Sequence, residues 1–217
     1  MGYVAFFDLD NTIIKINSGE ALLKRAYKNG LLSAWRLINA YYLSLLYRFH
    51  LTDPLRIIEK MSKWLAGATP SDIEVLCNEI AEKDLIPAIH PEILAEISMH
   101  RKQGARLVIL SSAIESICSR MAKQLDMHSV ICSELEVVNQ HYSGQPKGRF
   151  CFKDEKLNRM NEYLHANNFT LEDSWYFADS IDDLPVLQAV GHAVCINPDK
   201  SLEKIAREHK WVIHKWE

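Results

Sequence analysis

Glycine is scarce in this chain: 8 of 217 residues, about 4% where roughly 7% is usual. The eight stand at positions 2, 19, 30, 67, 104, 144, 148 and 191. Neither G-x-G-x-x-G nor G-x-x-x-x-G-K can be written, so a glycine-cradled nucleotide loop is excluded. Cysteine offers no framework either: Cys77, Cys118, Cys132, Cys151 and Cys195 are odd in number and form no C-x-x-C. They read as free thiols in a reducing cytosol. The first apolar run, Tyr3 to Phe7, stops at Asp8 without a basic leader or a small-residue cleavage site. The most hydrophobic stretch, Leu31 to Leu51, is interrupted by Arg36, Arg48 and His50, and its uncharged centre is too short to span a bilayer. Charge of one sign is lacking as well. Lys plus Arg number 25 against 28 Asp plus Glu, a net charge of −3, which disfavours nucleic acid as a partner. There is no internal repeat and no low-complexity tract. These absences predict a cytoplasmic globular protein with no nucleic-acid or membrane partner; oligomeric state is left open.

What is present is a series of short apolar runs that each end abruptly in a polar residue. Tyr3 to Phe7 ends at Asp8, Leu107 to Leu110 at Ser111, Trp175 to Ala178 at Asp179, and Ala193 to Ile196 at Asn197. Continuous rather than alternating hydrophobicity fits strands buried on both faces of a parallel sheet. Helical patterns between them (about 114–124, 155–167 and 184–190) predict an α/β fold. Ligands of open α/β sheets sit at the carboxyl ends of the strands, so Asp8, Ser111 and Asp179 are expected to converge.

Residues 17–87 break the alternation, with no convincing strand and several amphipathic helical patterns. One runs Leu31, Trp35, Ile38, Tyr42, Leu45, Phe49; another begins near Asp53-Pro54, where Asp can cap and Pro can occupy the first turn; a third starts at Thr69-Pro70-Ser71-Asp72. The reading is a helical insert, 17–87, in a core made of 1–16 and 88–217. The aromatic stripe of Trp35, Tyr41, Tyr42, Tyr47 and Phe49 is expected to form the insert's own core. Residues 134–148 read as a hairpin or flap.

Two acidic constellations follow apolar runs. In Asp8-Leu9-Asp10-Asn11-Thr12, carboxylates two apart can face one site, where one can stay ionised as a nucleophile and the other can shuttle a proton. Turn and helix-cap chemistry is the simpler explanation of the same residues. In Asp179-Ser180-Ile181-Asp182-Asp183, three acids within five residues repel one another unless a cation is present, and oxygen-only ligands suit Mg²⁺.

The sequence resembles the haloacid dehalogenase (HAD) superfamily of aspartate-nucleophile phosphohydrolases. F-D-L-D-N-T (Phe7 to Thr12) is similar to its first motif, L-V-I-L-S-S (Leu107 to Ser112) to its second, and D-S-I-D-D-L-P (Asp179 to Pro185) to its fourth. The third motif is a lone lysine before a helix, for which Lys156 is preferred to Lys153. With a helical insert after the first motif, the chain looks most like the phosphoserine-phosphatase-like subclass IB. The resemblance implies a Rossmann-like HAD core with a parallel sheet flanked by helices and a C1-type cap. It implies Asp8 as nucleophile, Asp10 as acid and base, and Mg²⁺ held by Asp8, Asp179 and the backbone carbonyl of Asp10. Ser111 and Lys156 would contact phosphate, with Thr12 bracing the nucleophile loop. Asp183 would orient Lys156 or a metal-bound water, and Ser112 would cap the following helix.

Two positions depart from the family pattern: Ala178 stands where glycine is usual before the fourth motif, and Asp182 where asparagine is common. The glutamate that binds the amino group in true phosphoserine phosphatases has no counterpart in Lys15-Ile16-Asn17-Ser18, and Glu20 falls about a turn later. The resemblance therefore implies a Mg²⁺-dependent phosphatase for a small phosphate monoester derived from an amino acid, such as histidinol phosphate or phosphoserine. A lipid-phosphate phosphatase using the aromatic helix, and a non-catalytic protein on the same fold, are the alternatives. His90, His128, His192, His209 and His214 read as surface or loop residues, and Cys77 and Cys195 as core.

Overall fold

The computed structural model describes residues 2–48 and 62–216. Six strands form one parallel sheet: β1 (Val4–Phe7), β2 (Arg106–Ile114), β3 (Ser129–Ser133), β6 (Trp175–Ala178), β7 (His192–Ile196) and β8 (Val212–His214), in the order β3-β2-β1-β6-β7-β8. Two further strands among the described residues, β4 (Leu135–Val138) and β5 (His141–Pro146), make the antiparallel hairpin expected over 134–148. Register sets Phe7 of β1 beside Ile109 on one side and Phe177 on the other.

The apolar runs lack alternation because both faces of the sheet are covered. Ala5, Phe7, Leu107, Ile109 and Phe177 point into one cluster with Ile93, Ile97 and Met121. Val4, Phe6, Val108, Leu110 and Ala178 point into another with Met160, Leu164 and Val186. The helices supplying those partners are α4 (Pro91–Lys102), α5 (Glu115–Gln124), α6 (Asp154–Ala166) and α7 (Leu184–Ala189), with α8 (Lys200–Glu208) beside β7 and β8. Strands β3 and β8 and helices α4 and α8 join the elements legible in the sequence. Ser112 is not a helix cap, because β2 continues to Ile114 and α5 begins at Glu115.

Among the described residues, three α-helices lie between β1 and α4: α1 (Ser18–Lys28), α2 (Ala34–Arg48) and α3 (Pro70–Ile80). Asn17 caps α1 by accepting from the Glu20 amide, and Thr69 caps α3 by accepting from the Asp72 amide. The pattern expected at Asp53-Pro54, and Phe49, lie outside the described residues, as do the side chains of Leu45 and Tyr47. Where the chain leaves and rejoins the sheet layer, the Lys15 amide donates to the Ala88 carbonyl (2.8 Å) and the His90 amide to the Ile13 carbonyl (3.0 Å). The hairpin holds the helical layer from the other side: the Gly67 amide donates to the Tyr142 carbonyl and the Tyr142 amide to that of Ala68, both at 2.9 Å. Gly144 is required at this contact. Its φ is +79°, and a Cβ there would stand 3.0 Å from the Ala66 Cβ.

The aromatic stripe of α2 departs from expectation: Trp35, Ile38 and Tyr42 are exposed, while Leu32, Ala40 and Leu43 are buried. His90 departs too. It is buried beside Trp216, with ring centroids 5.5 Å apart. His100 of α4 is fully buried among Trp175, Phe177 and Tyr3, with Nδ1 2.8 Å from the Tyr3 hydroxyl and Nε2 without a partner.

Burial, with a smaller contribution from His192, lowers the His100 pKa from 6.5 to about 4. The folded protein resists a proton that the unfolded chain takes up near 6.5. Stability from this residue is therefore complete above 6.5 and is lost as the pH falls toward 4, with a slope of at most about 1.4 kcal/mol per pH unit. Urea unfolding at several pH values is expected to show a flatter profile over that window in His100→Phe than in the wild type; identical slopes would remove His100 as the cause.

Candidate active site

The carboxyl ends of β1, β2 and β6 deliver the polar residues. The order β3-β2-β1-β6-β7-β8 reverses direction between β1 and β6, and that switch point is where a crevice opens. Asp8 extends the pairing one residue past β1, its amide donating to the Phe177 carbonyl at 2.9 Å. The chain then reverses tightly: the amides of Ile13 and Ile14 both donate to the Leu9 carbonyl at 3.0 Å, and Asn11 takes φ 56°. This turn brings Asp10 back over the strand end, where its Oδ1 accepts from the Ser18 amide at 2.9 Å.

Lys156, in the first turn of α6, is 3% exposed and penetrates between these segments. Its Nζ lies 2.6 Å from Asp183 Oδ1, 3.0 Å from Asp8 Oδ1 and 3.2 Å from the Tyr176 hydroxyl. That hydroxyl donates to Asp183 Oδ1 at 2.7 Å. Of the two lysines, only Lys156 contacts Asp8. Lys153 reaches outward, and its Nζ pairs with Asp182 Oδ1 at 3.2 Å, so the carboxylate that departs from the family pattern meets a cation. Ala178, the other departure, is an ordinary strand residue paired with Cys195.

Thr12 is buried, and its hydroxyl donates to Asp179 Oδ1 at 3.4 Å. The bracing expected within the nucleophile loop thus runs across to the fourth motif. Ser111 is 2% exposed, and its Oγ accepts from the Ala113 amide at 3.3 Å. Asp8, Asp10, Ser111, Ser112, Lys156, Asp179 and Asp183 all line one cavity of about 900 Å³. Leu22, Leu23 and Lys24 of α1, with Trp64 and Phe152, form other parts of its wall.

Burial governs the charges here. It pushes the Asp10 carboxyl up to about 6, against the Ser18 hydrogen bond that favours the anion. It also raises Asp8, which Lys156 pulls back, and Asp183, to about 6. Asp179 is held well above the usual carboxylate range, first by burial and then by Asp8 and Asp183. Burial works against the Lys156 cation, yet Asp183 and Asp8 keep its proton bound.

Asp8, Asp179 and Asp183 each offer a carboxylate oxygen within 4.8 Å of the others. The donor set fits a hard divalent cation such as Mg²⁺, and the raised Asp179 marks where positive charge is short. The Asp10 side chain is not part of that trio. Tyr176 was not singled out by the sequence. A phenol inside a strand buried on both faces needs a partner for its hydroxyl, and that requirement was the available signal.

Fold and site together define an open α/β protein with an acidic crevice at its switch point. The chain belongs to the haloacid dehalogenase-like hydrolase family, whose profile matches residues 5–188. Among its relatives, the histidinol-phosphatase of Neisseria meningitidis serogroup C (strain 8013) is 29% identical over 222 residues, covering 98% of both chains. A Mycobacterium tuberculosis (strain ATCC 25618 / H37Rv) protein named a probable phosphatase is 28% identical, covering 96% of this chain and 74% of its own. A crystal structure of a Bordetella pertussis Tohama I protein of unknown function superposes with a TM-score of 0.88 at 22% identity, covering 98% of both chains; at that identity the likeness is one of fold.

Removing Lys156 leaves two buried carboxylates without their cation, and such losses amount to about 3–5 kcal/mol. Lys156→Met is expected to lower the free energy of urea unfolding by that order, and adding Asp183→Asn to recover part of it. Tyr176→Phe, which removes one donor, should cost about 1–3 kcal/mol. A Lys156→Met protein as stable as the wild type would show that the cation does not hold this crevice together.

Proposed function

We propose that the protein is a Mg²⁺-dependent phosphatase that hydrolyses a small phosphate monoester through Asp8. The observation that carries this reading is the division of labour between two acids on one turn. Asp8 is held against the cation of Lys156 at 3.0 Å, and Asp10 is raised to about 6, near the operating pH that suits a proton-transfer group.

In the reaction, an Asp8 carboxylate oxygen bonds to phosphorus as the bond from phosphorus to the ester oxygen breaks, and Asp10 gives its proton to that leaving oxygen. Asp10, now a carboxylate, takes a proton from water as that water bonds to phosphorus. The bond from phosphorus to Asp8 then breaks, and inorganic phosphate departs. Ser111 donates to a phosphate oxygen, Lys156 offsets its charge, and Asp183 with Tyr176 positions Lys156. Asp8, Asp179 and the backbone carbonyl of Asp10 would hold Mg²⁺. A divalent cation there supplies neutralisation, without which an anionic nucleophile meets an anionic phosphate.

Residues 17–87 act as the cap over 1–16 and 88–217, and their cavity-lining side chains select the leaving group. Glu20 is in that wall, but it lies a turn beyond the place a phosphoserine phosphatase uses. This favours histidinol phosphate, the substrate type named for the Neisseria relative, over phosphoserine. The reading also assigns the protein to the cytoplasm.

Three measurements test it. Asp8→Asn is expected to lower turnover of p-nitrophenyl phosphate by at least roughly a thousand-fold while leaving the near-UV circular dichroism intact; unchanged turnover would refute the mechanism. Chelation with EDTA should abolish wild-type activity and added Mg²⁺ restore it. In a panel of monoesters, kcat/KM for histidinol phosphate should exceed that for phosphoserine.

A further inference from the structure

The outward side of α2 is apolar and open. Leu31, just before the helix, is 55% exposed, Trp35 76%, Ile38 60% and Tyr42 58%. Within the helix, the spacing of three and four puts Trp35, Ile38 and Tyr42 on one side. The opposite side is the one that packs, through Leu37, Ala40 and Leu43. Scattered exposed leucines are ordinary, but a contiguous stripe centred on a three-quarters exposed tryptophan marks an interaction surface.

Charge identifies what the stripe meets. Residues 18–48 carry Lys24, Arg25, Lys28, Arg36 and Arg48 against Glu20 alone, an excess of 5 − 1 = 4 positive charges in a chain whose net charge is −3. Arg25 faces Asp84 and Glu79. Lys24, whose Nζ lies 3.8 Å from Glu20 Oε2, stands at the rim of the stripe, 5.9 Å from the Tyr41 ring centroid. A second copy docked on this face through a two-fold axis would set like charges against each other. An anionic surface would be attracted instead. Tryptophan and tyrosine favour the headgroup level of a bilayer, and an apolar stripe with a basic rim is the form of helices that lie in that interface. No helix among the described residues is long and apolar enough to cross a membrane, so the contact is peripheral.

We propose that α2 docks the protein on an anionic phospholipid surface, with Trp35, Ile38 and Tyr42 entering the headgroup layer and Lys24 at its rim. This departs from the expectation of no membrane partner, and it goes beyond the hydrolase reading without depending on it.

The test is co-sedimentation of the full chain with vesicles of phosphatidylcholine alone and of phosphatidylcholine mixed with phosphatidylglycerol, alongside light scattering without lipid. Binding is expected to the mixed vesicles, to weaken in high salt, and to fall at least roughly ten-fold in Trp35→Ser/Ile38→Ser/Tyr42→Ser. Circular dichroism checks the fold of the triple variant. Should it fail to fold, Trp35→Ser alone is expected to lose the blue shift of tryptophan fluorescence that mixed vesicles induce in the wild type. No sedimentation with the mixed vesicles, or equal binding by a folded variant, overturns the proposal. So does a dimer in solution that the variant abolishes, since the stripe would then belong to a second copy.

Discussion

The buried ammonium of Lys156 is the contact on which the rest of the site depends. It ties α6 to the end of β1 through Asp8, and to the segment after β6 through Asp183, with Tyr176 of β6 closing the group. Each member alone is expensive to remove from water. Together they satisfy one another: one cation, two carboxylates and a hydroxyl whose hydrogen is committed to Asp183. The positions of α6 and of the turn after β6 follow from this group as much as from the apolar clusters on the two faces of the sheet. Burial first, and then Asp8 and Asp183, drive the Asp179 carboxyl up, and its oxygens with those of Asp8 and Asp183 form a set that fits a divalent ion.

The helical layer over the crevice is fixed along two lines rather than one. Backbone pairs at Lys15–Ala88 and Ile13–His90 hold it where the chain crosses from the sheet, and the Gly67–Tyr142–Ala68 pairs hold it to the hairpin. A layer tethered only at its crossings could swing freely. One that also shares backbone hydrogen bonds with β5 must carry the hairpin with it or break two bonds. Gly144 makes this second line possible, because a side chain there would collide with Ala66.

Strands β1, β2, β6 and β7 were legible because a strand buried on both faces has to be apolar throughout, and each run stopped where the backbone left the sheet. The edges were not. β8 is three residues of Val212, Ile213 and His214, and β3 has a serine at each end, so neither offers a run. Imidazole burial at His90 and His100 is set by packing from distant segments and leaves no trace in local pattern. α2 shows the limit of periodicity most directly. Its sequence carries two apolar stripes, Trp35–Ile38–Tyr42 and Leu37–Ala40–Leu43, and only tertiary packing decides which turns inward; aromatic content pointed to the wrong one. For the site, the acids were legible as strand-end clusters, whereas Lys156 was reached only through the family resemblance and lies within the first turn of α6. Tyr176 was hidden because it reads as one more hydrophobic residue in Trp175 to Ala178.

Asp10 links these layers. Its carboxylate is held by the amide of Ser18, the first residue of α1, whose next turns carry Leu22, Leu23 and Lys24 in the cavity wall. The group that suits proton transfer is therefore anchored to the cover and its backbone to the sheet. Any displacement of α1 lengthens the Ser18 bond and removes an interaction that favours the Asp10 anion, while admitting water that relieves its burial. These effects oppose each other, since loss of the bond raises the carboxyl and hydration lowers it. Burial is the larger cause, so the carboxyl stands at about 6 in spite of the Ser18 bond. The proton that a leaving oxygen would need is therefore retained by the burial that α1 helps to supply, while the Ser18 amide works in the other direction.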